Sequence, residues 1–356
     1  MSEPRTFKPG DPRSRGSIPQ RRVPQDWPKD RRFRILSVDG GGIRGIFPAT
    51  ILAELERRYC GGRHIGEYFD LAAGTSTGGI IALGIGARIP LPRLFDLYVQ
   101  HGREIFPEPG DTIAGRLKSL LNRKRHWLQH LYDRDALTAI LQEELGDGLL
   151  GDSQSRLCIP AFDGKNSEVF VYKTPHHADY KFDRYEKMLN VALATAAAPT
   201  YFQPLKHGGY QLVDGGVWAN NPVMLAVIEA LICWNIKPEQ IDVLTISCGE
   251  DPYVLSPLQL KWGGKIFWGD AIFAAMRLQS LAATNQARLL LGPPSVVRVE
   301  PGAHQPPIAL DDWRRAAASL PYEAASVVDR QGDAIAEKFL SVPVERYVPV
   351  PPAAEH

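Results

Sequence analysis

Three short segments hold the residue types that acyl transfer needs. Gly74-Thr75-Ser76-Thr77-Gly78 sets a serine between two glycines, directly after the apolar run Tyr68-Phe69-Asp70-Leu71-Ala72-Ala73. A serine on such a strand-to-helix turn has its hydroxyl exposed at a sheet edge, facing the positive end of the next helix. Asp214-Gly215-Gly216 follows Tyr210-Gln211-Leu212-Val213 and puts a carboxylate at a second strand end. Within hydrogen-bond reach of a serine, such a group can act as its general base. Asp39-Gly40-Gly41-Gly42-Ile43-Arg44-Gly45 follows the run Phe33–Val38. Its consecutive backbone N–H groups could hold an oxyanion, and Arg44 adds a positive charge. Strand ends are where open α/β sheets place their chemistry.

Each segment alone also has another reading. A Gly/Ser turn need not be catalytic, and Asp-Gly is a common turn. Gly40-x-Gly42-x-x-Gly45 fits the dinucleotide fingerprint literally, which makes a non-enzymatic Rossmann-like nucleotide-binding module the competing class. That fingerprint expects an acidic residue ending the second strand, where this chain has Gly74-Thr75-Ser76, and no Lys-Ser/Thr follows as in a Walker loop. A histidine triad fares worse. The order Ser, acid, His would need a histidine after Asp214, and only His304 and His356 lie there, while His176, His177 and His207 precede it. The residues favour a Ser76–Asp214 dyad.

The elements that must position these groups alternate. Strands are expected at 33–38, 68–73, 211–213 and 241–247, a hairpin at 157–173, and helices at 47–58, 78–87, 91–105, 188–198 and 222–234. This alternation predicts an α/β fold, a mostly parallel sheet with helices on both faces. Beyond residue 255 the pattern is helical alone, over Ile266–Leu291, Asp312–Leu320 and Tyr322–Leu340. Without a Gly/Ser-rich linker, residues 256–356 are expected as helical cover on the same unit as a catalytic region at 31–255. Residues 1–30 are rich in Pro, Arg and Gly and read as a basic, disordered arm.

At 356 residues, 44% hydrophobic and net charge +1, the chain makes no global electrostatic argument for nucleic acid. No apolar run approaches the ~18–20 residues of a membrane span, and no signal-peptide core follows the first charges. Cys60, Cys158, Cys233 and Cys248 lack C-x-x-C spacing and read as buried free thiols in a reducing, cytoplasmic compartment. No metal and no cofactor are expected.

Taken together, the three segments resemble the patatin-like phospholipases, whose pattern is a D-G-G-G-x-R-G loop, a G-x-S-x-G elbow and a D-G-[GA] aspartate. All three stand here in order, and Ala196-Ala197-Ala198-Pro199-Thr200-Tyr201-Phe202 is similar to that family's A-A-P-T-Y-F block. The resemblance covers about residues 33–250. It implies a three-layer α/β/α fold and calcium-free acyl hydrolysis of glycerolipids. It also implies Ser76 as nucleophile in the Gly74/Gly78 elbow and Asp214 as base. The backbone of Gly40, Gly41, Gly42, Ile43 and Arg44 would form the oxyanion hole.

Phe170–His177, with Lys173-Thr174-Pro175-His176-His177, and Leu212–Met224, with Trp218-Ala219-Asn220-Asn221-Pro222, resemble a narrower group. These are the bacterial patatin-like effectors of cyclic-oligonucleotide anti-phage signalling (CBASS). The resemblance implies an enzyme silent until a cyclic dinucleotide of cGAMP type binds, which then degrades the cell's own membrane from its inner face. Because several sites reach such a switch more easily than one, a homo-oligomer, ligand-induced or rearranged by ligand, is expected. The alternative is an unregulated patatin-like lipase or esterase. Arg116, Lys118, Arg123, Lys124 and Arg125 interleave with Leu117, Leu120, Leu121, Trp127 and Leu128. That stretch suits an anionic lipid surface, the phosphates of a cyclic dinucleotide, or an ordinary surface helix with a buried leucine stripe. Arg277 and Arg288 are further candidates for the dinucleotide.

Overall fold

The computed structural model describes residues 22–106, 131–249, 271–302 and 307–351. Among them are eight strands: β1 (Phe33–Val38), β2 (Leu71–Gly74), β3 (Leu157–Asp163), β4 (Glu168–Lys173), β5 (Leu205–His207), β6 (Tyr210–Asp214), β7 (Ile241–Ile246) and β8 (Val296–Val299). They form one sheet in the order β5-β6-β3-β2-β1-β7-β8, with β4 paired to β3. The pairs from β3 through β2, β1 and β7 to β8 are parallel. Those of β3 with β4, β3 with β6 and β5 with β6 are antiparallel.

The described helices are α1 (Ile46–Tyr59), α2 (Thr77–Gly86), α3 (Leu91–Ile105), α4 (Asp135–Leu145), α5 (Met188–Thr195), α6 (Gly216–Ala219), α7 (Val223–Cys233), α8 (Ala271–Leu291) and α9 (Trp313–Ile335). Side chains alternate between the faces of a strand, and the two apolar clusters obey that period. Leu36 and Val38 of β1, with Leu244 and Ile246 of β7, join α1 to α5 and α9 in one cluster. Phe33, Ile35, Ile241 and Val243 face the other way and meet α7 and α8. Strands buried on both faces require helices on both, which gives the three layers.

β3 organises the edge at which the Ser76 and Asp214 strands end. β4 runs along one side of it for its length. The other side is shared: β2 pairs with Leu157 and Cys158, and β6, running the opposite way, pairs with Ala161, Phe162 and Asp163. β2 and β6 therefore end tip to tip on one edge, with Ile159 and Pro160 between them.

The structure departs from the sequence expectations at three places. Residues 22–30, though mostly exposed, are anchored to the fold: Trp27 is buried 4.7 Å from the Phe33 ring, and Gln25 exchanges backbone hydrogen bonds with Cys233 and Asn235 at 2.8 Å. The region past 255 is not helical alone, because Val296–Val299 adds the parallel edge strand β8. The two helices expected over 312–340 are one helix through Pro321, followed by a π turn at Ala336–Leu340. Proline removes one helical hydrogen bond, but Leu320 and Ala324 on either side of it are buried in the core. That packing carries the helix past the break.

Candidate active site

Ser76 follows β2 at φ 55, ψ −123, a region that a side-chain-bearing residue occupies only when its surroundings over-determine it. Four contacts do so. Its N–H donates to Thr195 Oγ1 at 3.0 Å, and its carbonyl accepts from Ile80 N–H in the first turn of α2. On either side, the Thr75 hydroxyl donates to the Ala219 carbonyl (2.6 Å) and the Thr77 hydroxyl to the Gly42 carbonyl (2.7 Å). Gly78 must be glycine because a Cβ there would fall on the Val38 carbonyl. That close approach aims the α2 N-terminus at the site.

The glycine loop turns between β1 and α1. Asp39 at its base is buried and makes two hydrogen bonds with Arg298 of β8, at 3.0 and 2.6 Å. Burial alone would lower the Arg298 guanidinium, but the Asp39 carboxylate beside it holds it above its ordinary value. Asp39 is thus a structural anchor for the loop. Of the five loop positions expected to donate to an oxyanion, three have N–H groups already engaged. Gly40 donates to the Asn220 carbonyl, Ile43 to the Leu310 carbonyl and Arg44 to the Gly41 carbonyl. The Gly41 and Gly42 N–H groups have no partner among the described residues. Gly42 has φ +56, and a Cβ there would fall on the Leu310 carbonyl.

Asp214, the last residue of β6, is 4% exposed. Its N–H donates to the Ala197 carbonyl at 3.0 Å and its Oδ1 accepts from Gly216 N–H at 2.7 Å. Burial pushes its carboxyl up to about 6, against the neighbouring Ser76 hydroxyl and the Gly216 N–H, which favour the charged form. Ser76 and Asp214 thus lie side by side, with the carboxyl poised near neutrality.

Both open into a cavity of about 310 Å³. Ile80, Ile105, Phe106, Leu137, Phe202 and Leu310 give it an apolar wall, and Arg44 and Arg277 also line it. Such a site suits an amphiphile. None of its lining residues is a histidine. His176 bonds Glu229 and Thr174, His177 bonds the Val23 carbonyl, and His207 bonds Glu186.

Other expected sites fall elsewhere. Arg116, Lys118, Arg123, Lys124 and Arg125 lie outside the described residues. Arg277 lines the cavity that holds Ser76 and Asp214, and Arg288 is exposed on α8. The Lys173–His177 stretch is buried. Its Lys173 and His176 bond Glu229, as do Tyr180 and Cys233. Cys158, His176 and Glu229 place a thiol, a ring nitrogen and a carboxylate within 4.8 Å of one another, a set that could hold a metal by composition. The Lys173 ammonium already balances Glu229, so the cluster is an internal ion-pair network. All four cysteines are free and buried.

Sequence reasoning missed Thr195, Asn220 and Arg298. Thr195 directly precedes the Ala196–Phe202 block, so only its role was hidden. Asn220 lines the cavity with its Oδ1 buried and without a partner among the described residues, while its Nδ2 donates to Ser280 of α8 at 3.2 Å. Arg298 sits 259 residues from Asp39, and no local pattern links them.

Comparisons with known proteins agree with this geometry. The family model described as patatin-like phospholipase matches residues 36–227. A Pseudomonas aeruginosa protein named "cGAMP-activated phospholipase" is 37% identical over 198 residues, covering 55% of this chain and 56% of that protein. The chain thus spans little more than half the length of that relative. A Vibrio cholerae protein of the same name is 32% identical over 312 residues, covering 83% of this chain and 84% of the other. "Patatin-like protein 2" of Oryza sativa subsp. indica is 32% identical over 274 residues, or 66% of each.

Proposed function

Since the chain belongs to the patatin-like phospholipases, we propose that it hydrolyses acyl esters of phospholipids with a Ser76–Asp214 dyad. The observation that carries this reading is the buried carboxyl of Asp214, raised to about 6 and sharing one apolar cavity with Ser76. Asp214 takes the serine proton as Oγ attacks the ester carbonyl carbon. The tetrahedral oxyanion is held by the Gly41 and Gly42 N–H groups. Collapse expels the lysolipid alcohol, which takes the proton back from Asp214. Water then enters, gives a proton to Asp214 and attacks the acyl-serine, and the fatty acid leaves as Ser76 is reprotonated. The apolar wall suits the acyl chain, and Arg44 with Arg277 suits an anionic head group.

The same proposal includes regulation by a cyclic dinucleotide of cGAMP type, in anti-phage defence that ends in degradation of the cell's own membrane. The names of the Pseudomonas and Vibrio relatives support it. Moving a population from mostly inactive to mostly active requires the ligand to prefer the active state by roughly 10⁴-fold. Several sites in one assembly reach that more easily than one, so a ligand-driven homo-oligomer belongs to the reading. No described helix is long and apolar enough to cross a bilayer, which suits peripheral action at the inner membrane face.

The test is fatty-acid release from phospholipid vesicles with and without a panel of cyclic di- and trinucleotides, beside a sizing experiment. Turnover that needs one nucleotide and vanishes in Ser76→Ala is expected. Full turnover unchanged by every nucleotide would leave an unregulated lipase. A wild type without turnover that instead binds NAD would return the chain to the nucleotide-binding class.

A further inference from the structure

Ile159 and Pro160 lie between the tips of β2 and β6, where β3 has no strand partner on that edge. This part of the sheet is buried, so each backbone polar group there needs a partner. Pro160 has no N–H, and only its carbonyl must be satisfied. That carbonyl accepts from Thr195 Oγ1 at 2.6 Å, and Thr195 Oγ1 in turn accepts from Ser76 N–H at 3.0 Å. A threonine hydroxyl has one proton and two lone pairs. Pro160 offers only an acceptor and Ser76 only a donor, so the direction of this relay is settled. One fully buried hydroxyl thus stands where a rung of the sheet is missing.

We propose that Thr195 is the positioning residue of the nucleophile. Its hydroxyl ties the Ser76 peptide to β3 and holds the elbow at its positive φ, which fixes the direction of Oγ towards Asp214 and the ester carbon. Thr195 touches no reacting atom. The inference rests on Ser76 being the nucleophile. The same turn holds the base, because the Asp214 N–H donates to the Ala197 carbonyl. The competing role is packing: the Thr195 methyl lies against Gly79, 2.7 Å from where a Cβ there would sit.

Two variants separate hydroxyl from methyl. Thr195→Val keeps the shape and removes the hydrogen bonds, whereas Thr195→Ser keeps the hydroxyl and removes the methyl. Thr195→Val should lower kcat by roughly 10- to 100-fold with KM within about threefold, the effect of a displaced reacting atom. Thr195→Ser should stay within about threefold of wild type. In Thr195→Ser, which leaves Ser76 in place beside Asp214, the pH midpoint of the rate should stay near 6. Independently of turnover, amide hydrogen exchange at Ser76 should be at least about tenfold faster in Thr195→Val, with the β1 and β7 amides unchanged. If Thr195→Val does not fold, Thr195→Cys, similar in size and a weak hydrogen-bonder, carries the same expectations. Wild-type kcat in Thr195→Val, a Thr195→Ser as slow as the valine variant, or unchanged exchange at Ser76 would each overturn the assignment. A wild type without turnover would sink the dyad reading, and the exchange measurement would still decide the rung.

Discussion

Asp214 and Glu229 are carboxylates of almost equal burial, 4% and 1% exposed, and they do opposite things. Glu229, in the middle of α7, is met by the Lys173 ammonium, by the Tyr180 hydroxyl, by His176 Nε2 at 3.0 Å and by Cys233 Sγ at 3.2 Å. Burial alone would raise its carboxyl, yet Lys173 and His176 hold it well below the usual carboxylate range. The Asp214 carboxyl accepts one backbone N–H, from Gly216, with the Ser76 hydroxyl as its polar neighbour, and burial prevails, up to about 6. Burial by itself therefore does not make a base. A carboxylate keeps affinity for a proton only where the fold leaves it short of donors. Burial also lowers the His176 ring to about 4, against Glu229, which favours its charged form, so the ring is uncharged at neutral pH.

The contrast can be broken most sharply through activity. Asp214→Ala should lower kcat by at least about 10³-fold, as should Ser76→Ala, and the double variant should be no slower than either, because members of one catalytic unit do not add. Folded Glu229→Gln should keep kcat within a few-fold of wild type. If its loss matched that of Asp214→Ala, the two regions would be one machine and the comparison would fail.

Stability should reverse the ranking. Glu229→Gln leaves Lys173 buried without its counter-charge and should cost about 3–5 kcal/mol in urea unfolding. Asp214→Asn should instead stabilise. The folded pKa of Asp214, about 6, lies above its ordinary 3.8, so its contribution to stability falls as pH rises between those values. Well above pH 6 the substitution should gain up to about 3 kcal/mol, and below 3.8 nothing. Glu229 has the opposite sign, since its folded pKa is depressed below 4.5. Its contribution is present above 4.5 and is lost as pH falls through its lowered pKa. Unfolding midpoints of the two variants measured across this range should therefore diverge.

The smallest effect is the pH profile. Because Asp214 must be ionised to act, kcat/KM should drop about tenfold per pH unit below about 6 and be level above it. A limb with its midpoint near 4 would point to a solvated carboxylate and remove the argument from burial.

The turns that carry the proposed catalytic pair were legible in the sequence because their geometry is local. Glycines on both sides of Ser76 and after Asp214 announce turns whose backbone no other residue tolerates as well, and the apolar runs before them announce the strands. Which loop N–H groups remain free was not legible. Gly40 and Ile43 lose theirs to Asn220 and Leu310, residues far along the chain. Thr195 and Arg298 escaped for the same reason, since their partners are brought in by strand order. The strand Val296–Val299 is only four residues long with an arginine inside it, and that arginine is buried by Asp39. Pro321 misled in the other direction: a local helix breaker was outweighed by burial of the residues beside it.

The tip-to-tip meeting of β2 and β6 also means that the chain length between residues 76 and 214 has little bearing on how the dyad is spaced. The β3–β4 turn at 164–167 is exposed. A backbone cut there puts Ser76 and β3 on one fragment, and Thr195 with Asp214 on the other. Neither fragment holds a complete dyad, and re-pairing of β6 along β3 restores the spacing without a covalent link. In a split protein, turnover would then count the molecules whose two halves had found each other.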